Sequence, residues 1–146
     1  MKIPDDVEIR HKGYDLSLIL EEKATEEDIG EIEINVKVPY EKVFYIEVKT
    51  TTGERVRITP CQANKARESG KRYILCVVQI PRTKSIEDIT EEDIEEYARF
   101  VENIGEYIKE PQDDRYVKQD IRGYYVKKRL WEEKGRTIAE WIDSIL

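Results

Sequence analysis

One segment of this sequence limits the possible folds more than any other. Residues Tyr73 to Ile80 form a nearly unbroken apolar run, Tyr-Ile-Leu-Cys-Val-Val-Gln-Ile. A run of this length, rich in apolar and β-branched residues, is typical of a strand that is covered on both faces. We therefore expect this segment to be the middle strand of a sheet, with the Cys76 thiol in the core.

A second strand is predicted from Phe44 to Thr50. Side chains of a strand point alternately to opposite faces. Ile46 and Val48 should therefore share one face, while Glu47 and Lys49 should project together from the other. This places an acid and an amine side by side on a strand next to the core.

The segment that follows predicts a hairpin and then a helix. Thr51-Thr52-Gly53 is a turn sequence, and residues 54–59 alternate apolar and polar side chains, as the returning strand of a hairpin with one solvated face does. Thr59 then has the character of a helix N-cap, because a proline follows it and Gln62 completes a capping box. We expect this helix to end before Gly70, where the chain enters the middle strand.

The N-terminal part predicts two more strands. Residues 14–20 have strand character, and residues 21–43 separate them from the Glu47 strand as an insertion that contains an alternating segment at 31–38. Strands interspersed with a helix indicate a mixed sheet with helical cover. The fold class predicted from the sequence is therefore α/β.

The C-terminal part has a different sequence pattern. Thr90 opens a predicted helix whose apolar residues from Ile94 to Ile108 follow helical spacing and which ends before Pro111. Residues 124–131 predict a strand, and Thr137 caps a last helix. The predicted organisation is a core over residues 1–82 and a C-terminal helical and strand extension over residues 83–146, packed on the core within the same domain.

The charge balance excludes a protein that coats nucleic acid through bulk charge. The chain has 25 Lys and Arg against 32 Asp and Glu, a net of −7. The charge is unevenly distributed: residues 41–82 carry nine bases and four acids (+5), residues 84–114 three and twelve (−9), and residues 115–136 eight and three (+5). Phosphate binding needs a local positive potential rather than a basic total. A compact nucleic-acid site within residues 41–82 is therefore compatible with the acidic total.

Other classes are excluded by what the sequence lacks. No apolar stretch approaches the roughly 18 residues that a membrane span needs, and no apolar signal segment begins the chain. We therefore expect a soluble, cytoplasmic protein with no membrane partner. Cys61 and Cys76 have neither zinc-ligand nor disulfide-framework spacing. His11 is the only histidine, so Ser-His-Asp or Cys-His chemistry is not expected unless it uses this residue.

The Glu47-Val48-Lys49 sequence has the residue types that metal-dependent phosphodiester hydrolysis needs. A carboxylate holds Mg²⁺ near the scissile phosphate, while an ammonium group neutralises phosphate charge or orients the attacking water. One carboxylate is too few for a divalent ion, so a second must converge from another strand. Asp15, at the start of a predicted strand, is the best candidate.

Four elements in order carry a resemblance to a known family. They are Gly13-Tyr14-Asp15, Ile46-Glu47-Val48-Lys49, Thr59-x-x-Gln62 with Ala66, and Tyr73-x-Leu75-x-Val77-Val78. Together, over residues 7–80, they resemble the C-terminal domain of the plant NO VEIN protein, which belongs to the PD-(D/E)xK superfamily. The resemblance implies a restriction-endonuclease-like mixed β-sheet core flanked by helices.

The resemblance also implies an activity. It implies a nuclease, an endonuclease in particular, that uses Mg²⁺ or Mn²⁺ to hydrolyse DNA phosphodiester bonds in a restriction, defence or DNA-repair system, with a larger helicase-like or restriction complex as partner. The implied metal ligands are Asp15, Glu47 and the Val48 carbonyl, and the implied catalytic residues are Asp15, Glu47, Lys49 and Gln62. From their charge, we expect Arg55, Arg57 and Lys65 to contact nucleic acid.

Each of these features has a simpler interpretation. A Glu-x-Lys pair on a strand is ordinarily a solvated pair of small energetic value. The capping box explains Gln62 without chemistry, and Gly13-Tyr14-Asp15 is also an ordinary turn into a strand. Two alternative functions follow: a non-catalytic module that binds nucleic acid or protein on the same fold, and a protein that forms a homodimer through the stripe of Ile94, Val101 and Ile108.

Overall fold

The computed structural model describes residues 15–21, 31–37, 45–109 and 112–145, with only the backbone of the first two ranges. These residues form a mixed α/β fold, as the sequence predicts. Its strands are β1 Asp15–Glu21, β2 Glu31–Lys37, β3 Tyr45–Thr51, β4 Arg55–Ile58, β5 Tyr73–Gln79, β6 Ala98–Glu102, β7 Val117–Asp120 and β8 Gly123–Lys127; its helices are α1 Pro60–Ser69, α2 Glu91–Tyr97, α3 Gly105–Ile108, α4 Lys128–Lys134 and α5 Ile138–Ile145. Short 3₁₀ turns lie at Gly70–Arg72 and Ile86–Asp88.

The apolar run is the middle strand of a three-stranded sheet, which confirms the prediction. β5 pairs in parallel with β3 and antiparallel with β6. All its side chains from Tyr73 to Val78 are buried, with Cys76 among them. Helices and strands therefore cover both faces of this sheet.

Two clusters of buried side chains lie on the two faces. The first core contains Ile74, Cys76 and Val78 of β5 together with Phe100 and Trp141, whose rings stack at 5.0 Å. The second core contains the alternate residues of β5, which pack with side chains of α1, β4 and β8. Alternation along one strand thus divides the interior into two layers.

The predicted hairpin after β3 is wrong, although its second strand exists. β4 pairs with β8 in a separate antiparallel sheet of order β4-β8-β7. The carbonyl of Thr51 accepts a hydrogen bond from the Ile80 N–H at 2.8 Å, and the Thr51 hydroxyl accepts one from the Gly53 N–H at 2.9 Å. These bonds direct the chain away from β3, so β4 finds its partner elsewhere.

The helix after β4 forms as predicted. The Thr59 hydroxyl accepts from the Gln62 N–H, and the Gln62 amide oxygen accepts from the Thr59 N–H, a complete capping box. The helix ends at Gly70, whose φ of 56° is in the left-handed region that glycine adopts without strain.

The single long helix predicted from Thr90 to before Pro111 is wrong. α2 ends at Tyr97, and residues 98–102 form β6 at the edge of β5. An edge strand there pairs the backbone groups of β5 that a helix would leave unsatisfied. Phe100 then packs in the first core and Val101 in the second, which only a strand allows for adjacent residues.

The remaining C-terminal elements agree in part with the prediction. The strand expected over residues 124–131 is β8 only as far as Lys127, after which the chain turns into α4 and buries Leu130 and Trp131. The last helix forms with Thr137 and Glu140 as its capping box. Residues beyond 83 therefore supply strands to both three-stranded sheets.

The two N-terminal strands form where the sequence predicts them. β1 and β2 pair antiparallel, with Asp15 opposite Lys37. β2 approaches β3, and β1 approaches α2. No helix in the described ranges is long and apolar enough to cross a membrane.

Candidate functional site

Glu47 and Lys49 share one face of β3, as the alternation predicts. In the parallel register Glu47 lies opposite Leu75, and Lys49 lies opposite Val77. Both partners on β5 belong to the second core, whereas Ile46 and Val48 pack against the first. The acid and the amine therefore project into the layer that also contains α1.

Lys49 is unusual because it is a buried cation. It is only 7% exposed, and no ion pair or hydrogen bond of its side chain is found within the described ranges. Its ammonium nitrogen is not among the fully enclosed, unpaired side-chain atoms of those ranges, so the covered part is mainly the aliphatic stem. The charge at the tip of a covered stem is well placed to meet an anion.

Glu47 is half-buried and lies beside two tyrosines at the start of the strand pair. The Tyr45 and Tyr73 rings stack with centroids 5.0 Å apart. The Tyr45 hydroxyl donates a hydrogen bond to Glu47, and the pKa of Tyr45 is raised by burial first and then by the Glu47 charge. These contacts fix the carboxylate at the start of β3.

Tyr73 contributes a second polar group to this place. Its side chain is fully buried, and its hydroxyl lacks a hydrogen-bond partner within the described part of the chain. Burial, followed by the charges of Glu47 and Tyr45, raises its pKa well above the ordinary value. A neutral hydroxyl beside Glu47 is thus available to donate a hydrogen bond.

The two tyrosines are functional candidates that the sequence analysis missed. Tyr45 and Tyr73 read as ordinary apolar positions at the starts of two strands. Only the parallel register, which sets Tyr45 opposite Tyr73, places their hydroxyls around Glu47. The signal in the sequence is Tyr45-x-Glu47 on β3. It indicates a site only once Tyr73 of the neighbouring strand β5 is known to lie opposite Tyr45.

Helix α1 brings Lys65 and Gln62 to this region in different ways. The Lys65 ammonium lies 3.7 Å from the centroid of the Tyr45 ring, a cation–π contact that holds a positive charge beside the Glu47 end of β3. The Gln62 amide oxygen is held by the backbone of Thr59 at 3.0 Å. Gln62 therefore serves the helix cap in this structure.

The two arginines predicted to contact nucleic acid have different surroundings. Arg57 forms a bidentate ion pair with Asp120 at 2.9 and 3.1 Å and also donates to the Tyr125 hydroxyl. This pair lowers the pKa of Asp120 to about 2, mainly through the hydrogen bonds from Arg57. Arg55 is exposed and lies 4.1 Å over the Tyr125 ring. Arg55 thus keeps a charge that a ligand can reach, while that of Arg57 is already balanced.

The implied metal ligands are only partly described. The side chain of Asp15, the first residue of β1, lies outside the described part of the chain. Val48 directs its side chain to the first core, which leaves its carbonyl as the group for a ligand role. Among the described residues no group of three or more His, Cys, Asp or Glu is arranged to hold a metal ion. Glu47 would need Asp15 to complete a carboxylate pair.

Comparison with known proteins assigns the family. The family model described as "Protein NO VEIN, C-terminal" matches residues 1–91, more than half of the 146-residue chain. The matched region contains Asp15, Glu47, Lys49 and both tyrosines. No curated protein and no solved structure matches the chain. With the family match and the ordered motifs together, the chain belongs to the NO VEIN C-terminal family.

Proposed function

We propose that this protein is a Mg²⁺-dependent nuclease that cleaves DNA phosphodiester bonds, with its active site on the Glu47 face of β3. One observation carries the proposal. Lys49 is buried, shares a strand face with a carboxylate, and has no partner within the described residues. That arrangement suits a phosphate anion better than it suits the folded protein alone.

Lys49 has a direct role in this proposal. Its ammonium group would bind a non-bridging oxygen of the scissile phosphate and stabilise the negative charge that grows there as water attacks. Because protein covers most of the Lys49 side chain, solvent would screen this interaction less than at an exposed lysine. The buried position of Lys49 therefore supports a catalytic role over a solvated surface pair.

Glu47 and Asp15 are the proposed metal ligands. Mg²⁺ prefers oxygen ligands and is commonly held by one or two carboxylates together with substrate phosphate oxygens. Bound there, the metal would supply Lewis-acid activation of the phosphate and lower the pKa of the attacking water. The Tyr45 hydroxyl orients Glu47 through its hydrogen bond. Asp15 is necessary for metal binding, because the single carboxylate of Glu47 is too few for a divalent ion.

Placement in the PD-(D/E)xK superfamily is part of the same proposal. Support comes from a Glu-x-Lys strand paired in parallel with a buried central strand, and from a capped helix that follows on the same layer. Lys65 and Arg55 add positive charge near the two ends of β3. The proposed substrate is DNA, and the proposed metal is Mg²⁺ or Mn²⁺.

A cleavage assay tests the proposal. Purified protein with Mg²⁺ or Mn²⁺ should nick or cut plasmid DNA, and EDTA should stop the reaction. Lys49→Ala and Glu47→Gln should each lower the rate by at least about 10²-fold, the usual effect of removing an electrostatic catalytic group. Lys71→Ala, at an exposed lysine before β5, is the matched control and should cut like the native chain. Equal cleavage by Lys49→Ala and the native chain would refute the proposal.

One observation favours the alternative of a non-catalytic binding module. Among the described residues no group of three or more His, Cys, Asp or Glu could hold a metal ion, so a metal site beside Glu47 needs Asp15. A module of this kind would bind DNA without metal, and binding would survive the combined variant Asp15→Asn and Glu47→Gln. Metal-free binding together with absent cleavage would support this alternative.

A further inference from the structure

A polar cavity lies at the end of the two parallel strands, away from the tyrosines. Its volume is about 550 Å³, and its walls are residues 52–55 after β3, Gln79 at the end of β5, Arg82, and Lys128 at the start of α4. Parallel strands end at the same edge of a sheet, so the chain leaves both β3 and β5 here. We call this cavity the basic pocket.

Hydrogen bonds between segments distant in sequence fix the walls of the basic pocket. The Gln79 amide nitrogen donates to the Gly53 carbonyl at 2.8 Å, and its oxygen accepts from the Trp131 indole N–H at 3.3 Å. The Lys128 backbone N–H donates to the Glu54 carbonyl at 2.8 Å. The pocket is therefore a feature of the folded chain rather than of one loop.

The charge of the pocket is positive. Arg55, Arg82 and Lys128 line it against the single carboxylate of Glu54. In the described ranges Arg82 has no ion-pair partner, and the carboxylate paired with Lys128 is that of Glu132, at 3.9 Å on the exposed surface of α4.

Other cations of this molecule are neutralised at much closer range. Arg57, Lys84 and Arg129 each pair with a carboxylate at 2.9 Å or less. Among the described residues, none of the three pocket cations has a carboxylate this close: Lys128 has one at 3.9 Å, and Arg55 lies over the Tyr125 ring.

We propose that the basic pocket binds a phosphate group of a DNA strand, at a position beside the scissile phosphate. Arginine and lysine side chains on polar walls are the ordinary ligands of phosphate oxygens. The inference rests on the proposed function for the identity of the ligand, since DNA is the proposed substrate of the neighbouring face. Lys128 lies outside the matched family region of residues 1–91, so this contact joins the C-terminal part to the site.

The distance along β3 is short enough for one strand of DNA to reach both places. From Lys49 to Thr52 the backbone advances about 10 Å at roughly 3.3 Å per residue. A DNA strand carries one phosphate per nucleotide, so a phosphate close to the scissile one could enter the pocket and help to position the strand.

The test is metal-free DNA binding by the whole chain. Fluorescence anisotropy of a labelled duplex in EDTA gives the dissociation constant and its dependence on salt. Losing one phosphate contact should reduce the slope of log K against log salt by about 0.9 and weaken binding about five-fold at 0.15 M salt. We expect this for Arg82→Ala and for Lys128→Ala. Lys71→Ala, before the opposite end of β5, is the matched control and should keep both values.

The outcomes separate the pocket from the nuclease proposal. Unchanged DNA affinity and salt slope in Arg82→Ala would overturn the proposal that the pocket binds DNA, even if the native chain cleaves DNA. An equal loss of affinity in Lys71→Ala would overturn it as well. Metal-free binding that depends on Arg82 would support the pocket even if no cleavage occurs. Thermal stabilisation by inorganic phosphate that requires Arg82, with DNA affinity unchanged by its substitution, would show a site for free phosphate and overturn the DNA assignment.

Discussion

Lys49 is a residue whose position lowers the stability of the folded protein. Lys49 is only 7% exposed on β3 and has no ion-pair partner among the described residues, so folding covers most of a charged side chain with little compensation. Residues of this kind tend to persist where activity needs them, because activity and stability conflict there.

We predict that Lys49→Met raises the free energy of unfolding by about 1 kcal/mol, because methionine fills similar space without a charge whose surroundings are largely covered by protein. The same variant should lose nuclease activity. Urea unfolding measures the first effect, and plasmid cleavage measures the second. Lys71→Met, at an exposed site, should change neither quantity. A destabilised Lys49→Met protein would mean that the ammonium group has a structural partner.

The Arg57–Asp120 pair predicts a pH effect. Arg57 lowers the pKa of Asp120 from 3.8 to about 2, so the folded chain binds this proton less readily than the unfolded chain. The contribution of Asp120 to stability is therefore complete above the unfolded pKa and is lost as the pH falls towards the folded value.

The stability difference between the native chain and Asp120→Asn should consequently be constant above roughly pH 5 and shrink between about pH 4 and pH 2. Urea unfolding across this range measures it. Ile121→Ala, at an adjacent and almost fully exposed side chain, should differ from the native chain by the same amount at every pH. A pH-independent difference for Asp120→Asn would contradict the assigned pKa.

At the scale of elements, the start of helix α1 shows that Gln62 has a structural role, which is distinct from the chemical role implied for it. Gln62 and Thr59 satisfy backbone N–H groups at the start of the helix through two reciprocal hydrogen bonds. This arrangement needs a side-chain oxygen acceptor at that position, which Asp93 supplies at α2 and Glu140 at α5. The geometry assigns Gln62 to the cap, whereas the resemblance implies that it lies beside the scissile phosphate.

We expect Gln62→Glu to preserve the cap, to keep the free energy of unfolding within about 0.5 kcal/mol, and to leave cleavage unchanged. Gln62→Ala should cost about 0.5–1 kcal/mol, because the exposed Thr59 N–H exchanges its capping bond for one to water. Urea unfolding and plasmid cleavage together measure the outcome. Lost cleavage in a fully stable Gln62→Glu protein would place Gln62 among the catalytic residues.

At the scale of the whole molecule, the matched family region ends before the fold does. Residues 1–91 include β3, β4 and β5 but lack β6, the edge partner of β5, and β8, the partner of β4. They also lack Phe100, Trp131 and Trp141, which fill the two cores.

A fragment of residues 1–91 should therefore not fold cooperatively. Its thermal and urea transitions, followed by circular dichroism, should be broad or absent, while those of the full chain should be sharp. A fragment that ends at residue 136 is the informative comparison, because it keeps both three-stranded sheets and loses only the last helix. A sharp transition in the 1–91 fragment would show that the N-terminal part is an independent unit.

Local patterns predicted the elements that depend on local chemistry. The β5 run, the alternation of β3, and the caps at Thr59, Thr90 and Thr137 all appear where the sequence indicates them. Each is decided by neighbours within a few residues. The joint orientation of Glu47 and Lys49 also belongs to this group, because alternation alone requires it.

Local sequence patterns did not predict the pairing between strands that are distant in sequence. The apolar spacing from Ile94 to Ile108 fits a helix as well as a strand followed by a turn. The free edge of β5 decides in favour of β6. In the same way, β4 pairs with β8 across more than sixty residues. A hairpin was the local expectation, and tertiary hydrogen bonds replaced it.

The sequence by itself determined the α/β class, the central strand, and the strand that carries Glu47 and Lys49. Only the tertiary structure decided that Lys49 is buried, that Tyr45 and Tyr73 surround Glu47, that Arg57 is neutralised, and that Arg55, Arg82 and Lys128 line one pocket. The physical reason is the distance along the sequence over which each interaction acts. Alternation and capping act over a few residues, whereas burial and charge pairing depend on segments that only folding brings together.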